Sequence, residues 1–184
     1  MAFPFVTAGR QAPMIETQRL LLRRFAAADV DDFVALQTDP EVRRYIQLAQ
    51  PFGRKQASER VQADEAEWEE HGRRMLAVEE RASGRFLGRV TLHQWAQFGE
   101  TEIGWALRGD ARGQGFATEA ARAYSAWGFR NLDVPYLTAM IRPDNARSIA
   151  VAARLGMTAL RNDVLSGNPV VVYSVSRRDS SRRS

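Results

Sequence analysis

The 184-residue chain contains no cysteine. That excludes disulfides, thiolate metal sites and a cysteine nucleophile, and the expected setting is a reducing cytoplasm. Histidine is nearly as scarce, with only His71 and His93. Neither has a second ligand at helical spacing, and neither sits in a nucleophile-elbow context. No metal site and no Ser-His-Asp triad is expected. No stretch approaches the ~20 apolar residues of a membrane span. The first residues, MAFPFVTAGRQAP, lack a basic n-region and break their apolar run, so they make a poor signal peptide. Lysine occurs once, at Lys55, and no Gly-Lys-Ser or Gly-Lys-Thr occurs. A nucleoside-triphosphate P-loop is thereby excluded.

What is present is ordinary for a globular protein. Hydrophobic residues make up 45% and charged residues 26%, enough for one domain with a core. The formal charge is +4. A basic chain invites a nucleic-acid partner, but the charge is badly placed for one. The tail Ser176–Ser184, SRRDSSRRS, holds four arginines against one aspartate, so it carries +3 of the total. The body is near neutral, and no nucleic-acid or membrane partner is expected. The chain divides into a lead-in (1–14), one domain (15–175) and a basic, disordered tail (176–184).

Along the domain, ETQRLLLRRF (Glu16–Phe25) predicts a strand. Asp29–Gln37 predicts a short helix, with Val30, Phe33, Val34 and Leu36 spaced for one face. Asp39-Pro40 stops it and starts another turn at Glu41–Tyr45. Ala57–Gly72 predicts a charged helix. Met75–Glu79 and Phe86–His93 flank a Ser-Gly turn and predict a hairpin. Thr101–Leu107 predicts a strand with Ile103, Trp105 and Leu107 on one side and Glu102, Gly104 and Ala106 on the other. A glycine-rich loop follows, then a helix over Gly115–Phe129. Tyr136–Ile141 and Val170–Val175 predict strands, with a helix over Ala146–Leu155 between them. Gly156 can take the left-handed cap of that helix and Met157 can pack back. The order is that of one mixed α/β domain whose second half contains a βαβ-like unit, without repeats or an interdomain linker.

The loop ARGQGFATEA (Ala111–Ala120) is the strongest local signal. A glycine turn running into a helix N-terminus suits phosphate. The dinucleotide fingerprint fails on it. Thr118 stands at the third glycine, the loop lies past the middle of the chain, and Asp133 follows no strand. R-x-x-G-x-A is met by Arg112, Gly115 and Ala117. This resembles the acyl-CoA pyrophosphate loop of the Gcn5-related N-acetyltransferases. Three further stretches strengthen the likeness. TEIGWAL resembles the family's fourth strand, and IRPDNARSIAVAARLGM resembles its fifth strand and following helix. IETQRLLLRRF resembles its first strand in the ribosomal-protein alanine acetyltransferase subgroup. The resemblance runs from about Ile15 to Val175. It implies an α/β fold with a mostly antiparallel sheet, splayed between its fourth and fifth strands.

The resemblance also implies roles. Acetyl-CoA is the expected donor, with no metal. Gly113 and Gly115 admit backbone N–H groups to the pyrophosphate. Arg112 adds charge if it turns inward, Gln114 donates through backbone and side chain, and Thr118 caps the helix or meets phosphate. Phe116 packs into the sheet and Ala117 completes the motif. Trp105, Ala106 and Leu107 offer main-chain groups to the pantetheine arm, as an added strand does. Glu102, ahead of Glu100, is the candidate general base. Asn145 contacts the cofactor. Ser148 serves both the cofactor and the departing thiolate, because Ala150–Arg154 holds no tyrosine for that task. Asn145 and Ser148 equally suit a plain helix cap. Phe52, Trp68 and Trp95 are candidates for the acceptor wall, though aromatics of this kind are more often core. The implied acceptor is a protein N-terminal α-amine. A small-molecule amine, aminoglycoside-like or a polyamine, and a non-catalytic CoA-binding module are the alternatives. Monomer and homodimer both stay open.

Overall fold

The computed structural model describes residues 14–46, 52–71 and 73–177. Most of the lead-in and of the arginine tail, and Gly72 at the predicted helix end, lie outside the described residues. The elements in chain order are β1 (Ile15–Glu16), β2 (Leu20–Arg23), α1 (Val30–Thr38), α2 (Pro40–Arg43), α3 (Arg54–His71), β3 (Met75–Glu80) and β4 (Arg85–Trp95). After them come β5 (Glu100–Leu107), α4 (Phe116–Asn131), β6 (Tyr136–Ile141), α5 (Ala146–Arg154), β7 (Thr158–Leu165) and β8 (Asn168–Ser176).

The eight strands form one sheet in the order β1-β2-β3-β4-β5-β6-β8-β7. Every neighbouring pair is antiparallel except β5 and β6. These two run parallel because α4 carries the chain back across the sheet between them. Their register holds a single pair, Glu102 with Thr138. β4 and β5, by contrast, pair at eight positions. The sheet therefore splays between β5 and β6, as expected for the family's fourth and fifth strands. The count is one higher here because the first predicted strand is two. Thr17 breaks it, its hydroxyl accepting from the Leu20 N–H at 2.9 Å, and the chain folds into the β1–β2 hairpin.

Strand alternation divides the core between two faces. Leu76, Val78, Val90, Leu92, Ile103 and Leu107 join Phe116, Ala120 and Tyr124 of α4. The intervening Met75, Ala77 and Ala106 join Phe33, Leu36 and Val42 of α1 and α2 and Ala57 of α3. Trp68 of α3 is buried, rests edge-on against Trp127, and donates from Nε1 to the Met75 carbonyl at 3.3 Å.

One strand was not legible. No strand is predicted between Met157 and Val170, yet β7 fills Thr158–Leu165. Its residues are mostly exposed, and Arg161, Asn162 and Asp163 occupy its middle. It is an edge strand paired only with β8, so it shows no apolar alternation to read. The stop of α5 matches expectation. Gly156 takes φ 80°, and the Met157 N–H returns to the Ala152 carbonyl at 3.0 Å.

Candidate active site

A cavity of about 1090 Å³ opens where β5 and β6 part. Its walls come from β4, β5, the loop before α4, the end of β6 with the start of α5, and the α1–α2 region.

The glycine loop forms one end. Gly113 and Gly115 both have positive φ, 78° and 84°, which residues with a Cβ rarely adopt. Gly115 is the N-cap of α4, and the first intrahelical bond is Glu119 N–H to Gly115 C=O. The N–H groups of Phe116, Ala117 and Thr118 precede that bond and have no intrahelical acceptor. All three residues line the cavity, as do Gly113 and Gly115. Their N–H groups and the helix dipole form an anion-binding corner.

Arg112 lines the cavity but does not turn freely into it. Its guanidinium donates to the Leu107 carbonyl at 3.0 Å and to Asp39 at 2.8 Å. Arg112 therefore ties the loop to the end of β5 and to the α1–α2 junction. Gln114 is absent from the cavity wall; its side-chain amide donates to the Asp110 carbonyl at 2.9 Å. Thr118 is buried on the wall, while Gly115 holds the cap position. The sequence reading missed Arg19, in the β1–β2 turn. Its Nη1 donates to the Gln114 carbonyl at 2.9 Å, its Nε to Glu119 at 2.7 Å, and its guanidinium covers the Phe116 ring. It clamps the loop from behind; it lies within IETQRLLLRRF, but a strand pattern does not tie that arginine to a loop 95 residues away.

Along β5, Trp105, Ala106 and Leu107 lie on the wall beyond the point where pairing with β6 ends. An unpaired strand edge of this kind is what an extended ligand can join. Asn145 and Ser148 stand across the gap. Asn145 is the N-cap of α5, its side chain accepting from the Ser148 N–H at 3.1 Å. Both residues line the cavity, so capping leaves them at the site.

Glu102 sits at the apex of the splay. Its Oε2 accepts from Trp95 Nε1 at 2.7 Å and its Oε1 from the Met140 backbone N–H at 3.1 Å. One carboxylate thus bridges β4, β5 and β6. Burial pushes its pKa above the ordinary carboxylate value, against the two donors and the Arg89 charge. A carboxylate so placed is more basic than one in water. Glu100 differs. It is buried off the cavity wall and held by Arg161 through two bonds of 2.7 and 2.9 Å. Its role is to tie β5 to β7.

Of the three aromatic candidates, Phe52 and Trp95 line the cavity and Trp68 does not, being core. His93, set aside in the sequence as a metal ligand or triad member, also lines it. Its Nδ1 lies 3.0 Å from Arg74 and its ring stands edge-on to Trp95. Arg74 in turn donates to the buried Asp64 at 3.1 Å. His71 ends α3, and its side chain lies outside the described residues. Among the described residues no cluster of His, Cys, Asp and Glu can hold a metal ion. No helix among them is long and apolar enough to cross a membrane.

Residues 19–158, well over half of the chain, match the model of the acetyltransferase (GNAT) domain. The chain belongs to the GNAT acetyltransferase family. YoaA of Bacillus subtilis (strain 168), an uncharacterized N-acetyltransferase, is 28% identical over 145 residues, covering 78% of this chain and 82% of YoaA. An acetyltransferase from Agrobacterium tumefaciens str. C58 superposes with a TM-score of 0.77 at 27% identity, covering 96% of this chain and 99% of the other. Mycobacterium smegmatis RimJ, solved with a CoA disulfide, shares the fold with a TM-score of 0.73 at 19% identity. That match covers 89% of this chain and 87% of RimJ. The acetyltransferase thus has the splayed sheet its family requires, with a half-buried carboxylate at the apex.

Proposed function

We propose that the protein transfers the acetyl group of acetyl-CoA to a primary amine by direct attack in a ternary complex. The favoured acceptor is a protein N-terminal α-amine. The observation that carries the reading is the position of Glu102, where β5 and β6 cease to pair, on the wall of a cavity whose far end is the glycine loop. RimJ, which shares the fold, is described as bound to a CoA disulfide.

The residues fit the donor on physical grounds. The loop offers backbone N–H groups at positive-φ glycines and a helix N-terminus, which suit a pyrophosphate. The edge of β5 from Trp105 to Leu107 suits an amide-bearing arm. Acetyl-CoA, once bound, supplies a thioester carbonyl activated toward amines.

An aliphatic amine is largely protonated at neutral pH and must lose a proton to attack. Glu102 takes that proton, directly or through one water, and its raised pKa brings it nearer the operating pH. The nitrogen lone pair forms the new C–N bond as the C–S bond breaks. The attacking nitrogen sheds its remaining extra proton as the amide forms, and Ser148, on the opposite wall, relays a proton to the departing thiolate, gaining one as it gives one, so that CoA leaves as the thiol. Placement contributes as much as acid–base chemistry, because both substrates are held in one cavity.

Titration with acetyl-CoA by calorimetry, followed by thiol release with a panel of peptides and small amines, tests the reading. The expected result is binding and turnover. Absence of binding overturns it, and binding without turnover on any amine leaves a CoA-binding module.

A further inference from the structure

The cavity face of β4 carries Arg89, Thr91, His93 and Trp95 at alternate positions. In the ladder with β5, His93 stands opposite Glu102, Thr91 opposite Gly104, and Arg89 opposite Ala106. Arg89 is therefore four residues from the Glu102 position on the same face, about 13 Å along the strand between backbones. The floor between them is low. A Cβ at Gly104 would lie 3.0 Å from the Thr91 methyl group, and the residue there has none.

The arginines on this wall are not equivalent. Arg74 is engaged by Asp64 and His93, and Arg112 by Asp39 and the Leu107 carbonyl. Arg89 has no hydrogen bond or close ion pair among the described residues, and its Nε is shut off from solvent without a partner. Its neighbours on the ladder are Ala77 and Ala106, both part of the apolar cluster under α1 and α3. Burial accordingly pulls its guanidinium down to about 10, with the Arg60 charge adding to the effect and Glu102 and Asp64 opposing it. Gln37 of α1, 6% exposed and on the same cavity wall, also has an unpartnered buried oxygen. A guanidinium whose Nε is desolvated and unpaired is disfavoured unless something else completes it.

We infer that Arg89 receives a carboxylate of the acceptor, so that the amines acetylated here are ones that also carry a carboxylate. The inference rests on the acetyltransfer reading and deepens it. The cavity then presents an anion, Glu102, to the ammonium end of the acceptor and a cation to its other end. A guanidinium matches the two coplanar oxygens of a carboxylate with parallel N–H bonds. Around that point the charges of Arg89, Arg60 and Arg74 outnumber those of Asp64 and Glu102 by one, enough to balance a monoanion and too little for a phosphate dianion. The carboxylate can be the terminus of a small amino acid or peptide, or an acidic side chain close to a protein N-terminus.

Matched acceptors separate these sources. Gly-Gly is compared with Gly-Gly amide, and Ala-Asp-Ala amide with Ala-Asn-Ala amide, by thiol release at saturating acetyl-CoA on the full chain. We expect the acid to exceed its neutral partner in kcat/KM by about tenfold or more in at least one pair, the scale of a charge-assisted pair of hydrogen bonds. Preference in the first pair assigns a small amino-acid acceptor, and preference in the second an acidic N-terminal segment. In Arg89→Met the ratio collapses toward one, and Arg89→Lys retains part of it. Equal rates within both pairs in the unsubstituted enzyme overturn the inference while acetyltransfer stands. A preference that survives in Arg89→Met also overturns it. Loss of acetyl-CoA binding and of turnover with every amine overturns the acetyltransfer reading itself, and the inference with it.

Discussion

Glu102→Gln is the sharpest single perturbation of the proposed mechanism. The glutamate receives two donors, Trp95 Nε1 at 2.7 Å and the Met140 N–H at 3.1 Å, one on each oxygen. Glutamine can satisfy only one of them. Its NH₂ group then faces the other donor, leaving a buried N–H unpaired at a cost of about 1–3 kcal/mol. For a chain of this size that lowers Tm by about 2–4 °C per kcal/mol, so the protein stays folded at 25 °C. The rate suffers far more. Loss of a positioned base costs about 10²–10⁴ in kcat. The pH profile gives the decisive sign. The base must be deprotonated to act, so the unsubstituted rate falls as pH drops through the Glu102 pKa, which burial holds above the ordinary carboxylate value. The amine still adds its own rise at alkaline pH in both proteins. Stopped thiol-release assays from pH 5 to 9, with acetyl-CoA affinity measured in parallel, read both effects. A Glu102→Gln enzyme within about threefold of the parent, with the acid limb unchanged, refutes the assignment of this carboxylate as base.

Three other outcomes are expected. Gly115→Val places a β-branched residue at φ 84°, with its Cβ 3.4 Å from Arg19, so calorimetry should find acetyl-CoA affinity lost while circular dichroism stays native; unchanged affinity removes the loop from donor binding. Asp64 has its pKa raised to about 6, first by burial and against the Arg74 and Arg60 charges. A carboxyl group with a raised folded-state pKa contributes its full stability below the unfolded value and loses it as pH rises through the folded one. Denaturant melts should therefore show the parent losing about 2–3 kcal/mol relative to Asp64→Asn between roughly pH 4 and 6, with the difference flat above that window; a difference that grows in the parent's favour with pH contradicts it. Gly88→Ala would put a Cβ 2.2 Å from the Ala106 carbonyl in the β4–β5 ladder, so soluble yield and Tm should both fall sharply, and a native-like Tm shows that the ladder can shift to accept it.

Much of this fold was legible because its signals are local. The 3.6-residue and two-residue periods of the apolar positions located α1, α4, β3, β5 and β6 within a residue or two. The glycines at 113, 115 and 156 were legible because positive φ leaves few other choices. Strand β7 was not legible, because an exposed edge strand carries Arg161, Asn162 and Asp163 where a buried one would alternate.

The site divides along the same line. The sequence by itself determined the loop, the strand before it and the cap after β6, because backbone conformation at a glycine turn or an Asn N-cap is set by nearest neighbours. What each side chain does there was decided by tertiary contacts. Glu102 and Glu100 are two residues apart on one strand. Yet one meets Trp95 and Met140 at the edge of the cavity, and the other is consumed by Arg161 of β7. Arg112 and Arg89 are both arginines near β5. Yet Asp39 holds the first, while the second stands among alanines with no hydrogen-bonded partner among the described residues. Charge, pKa and availability to a ligand depend on which distant elements close over a residue, and no spacing along the chain carries that information.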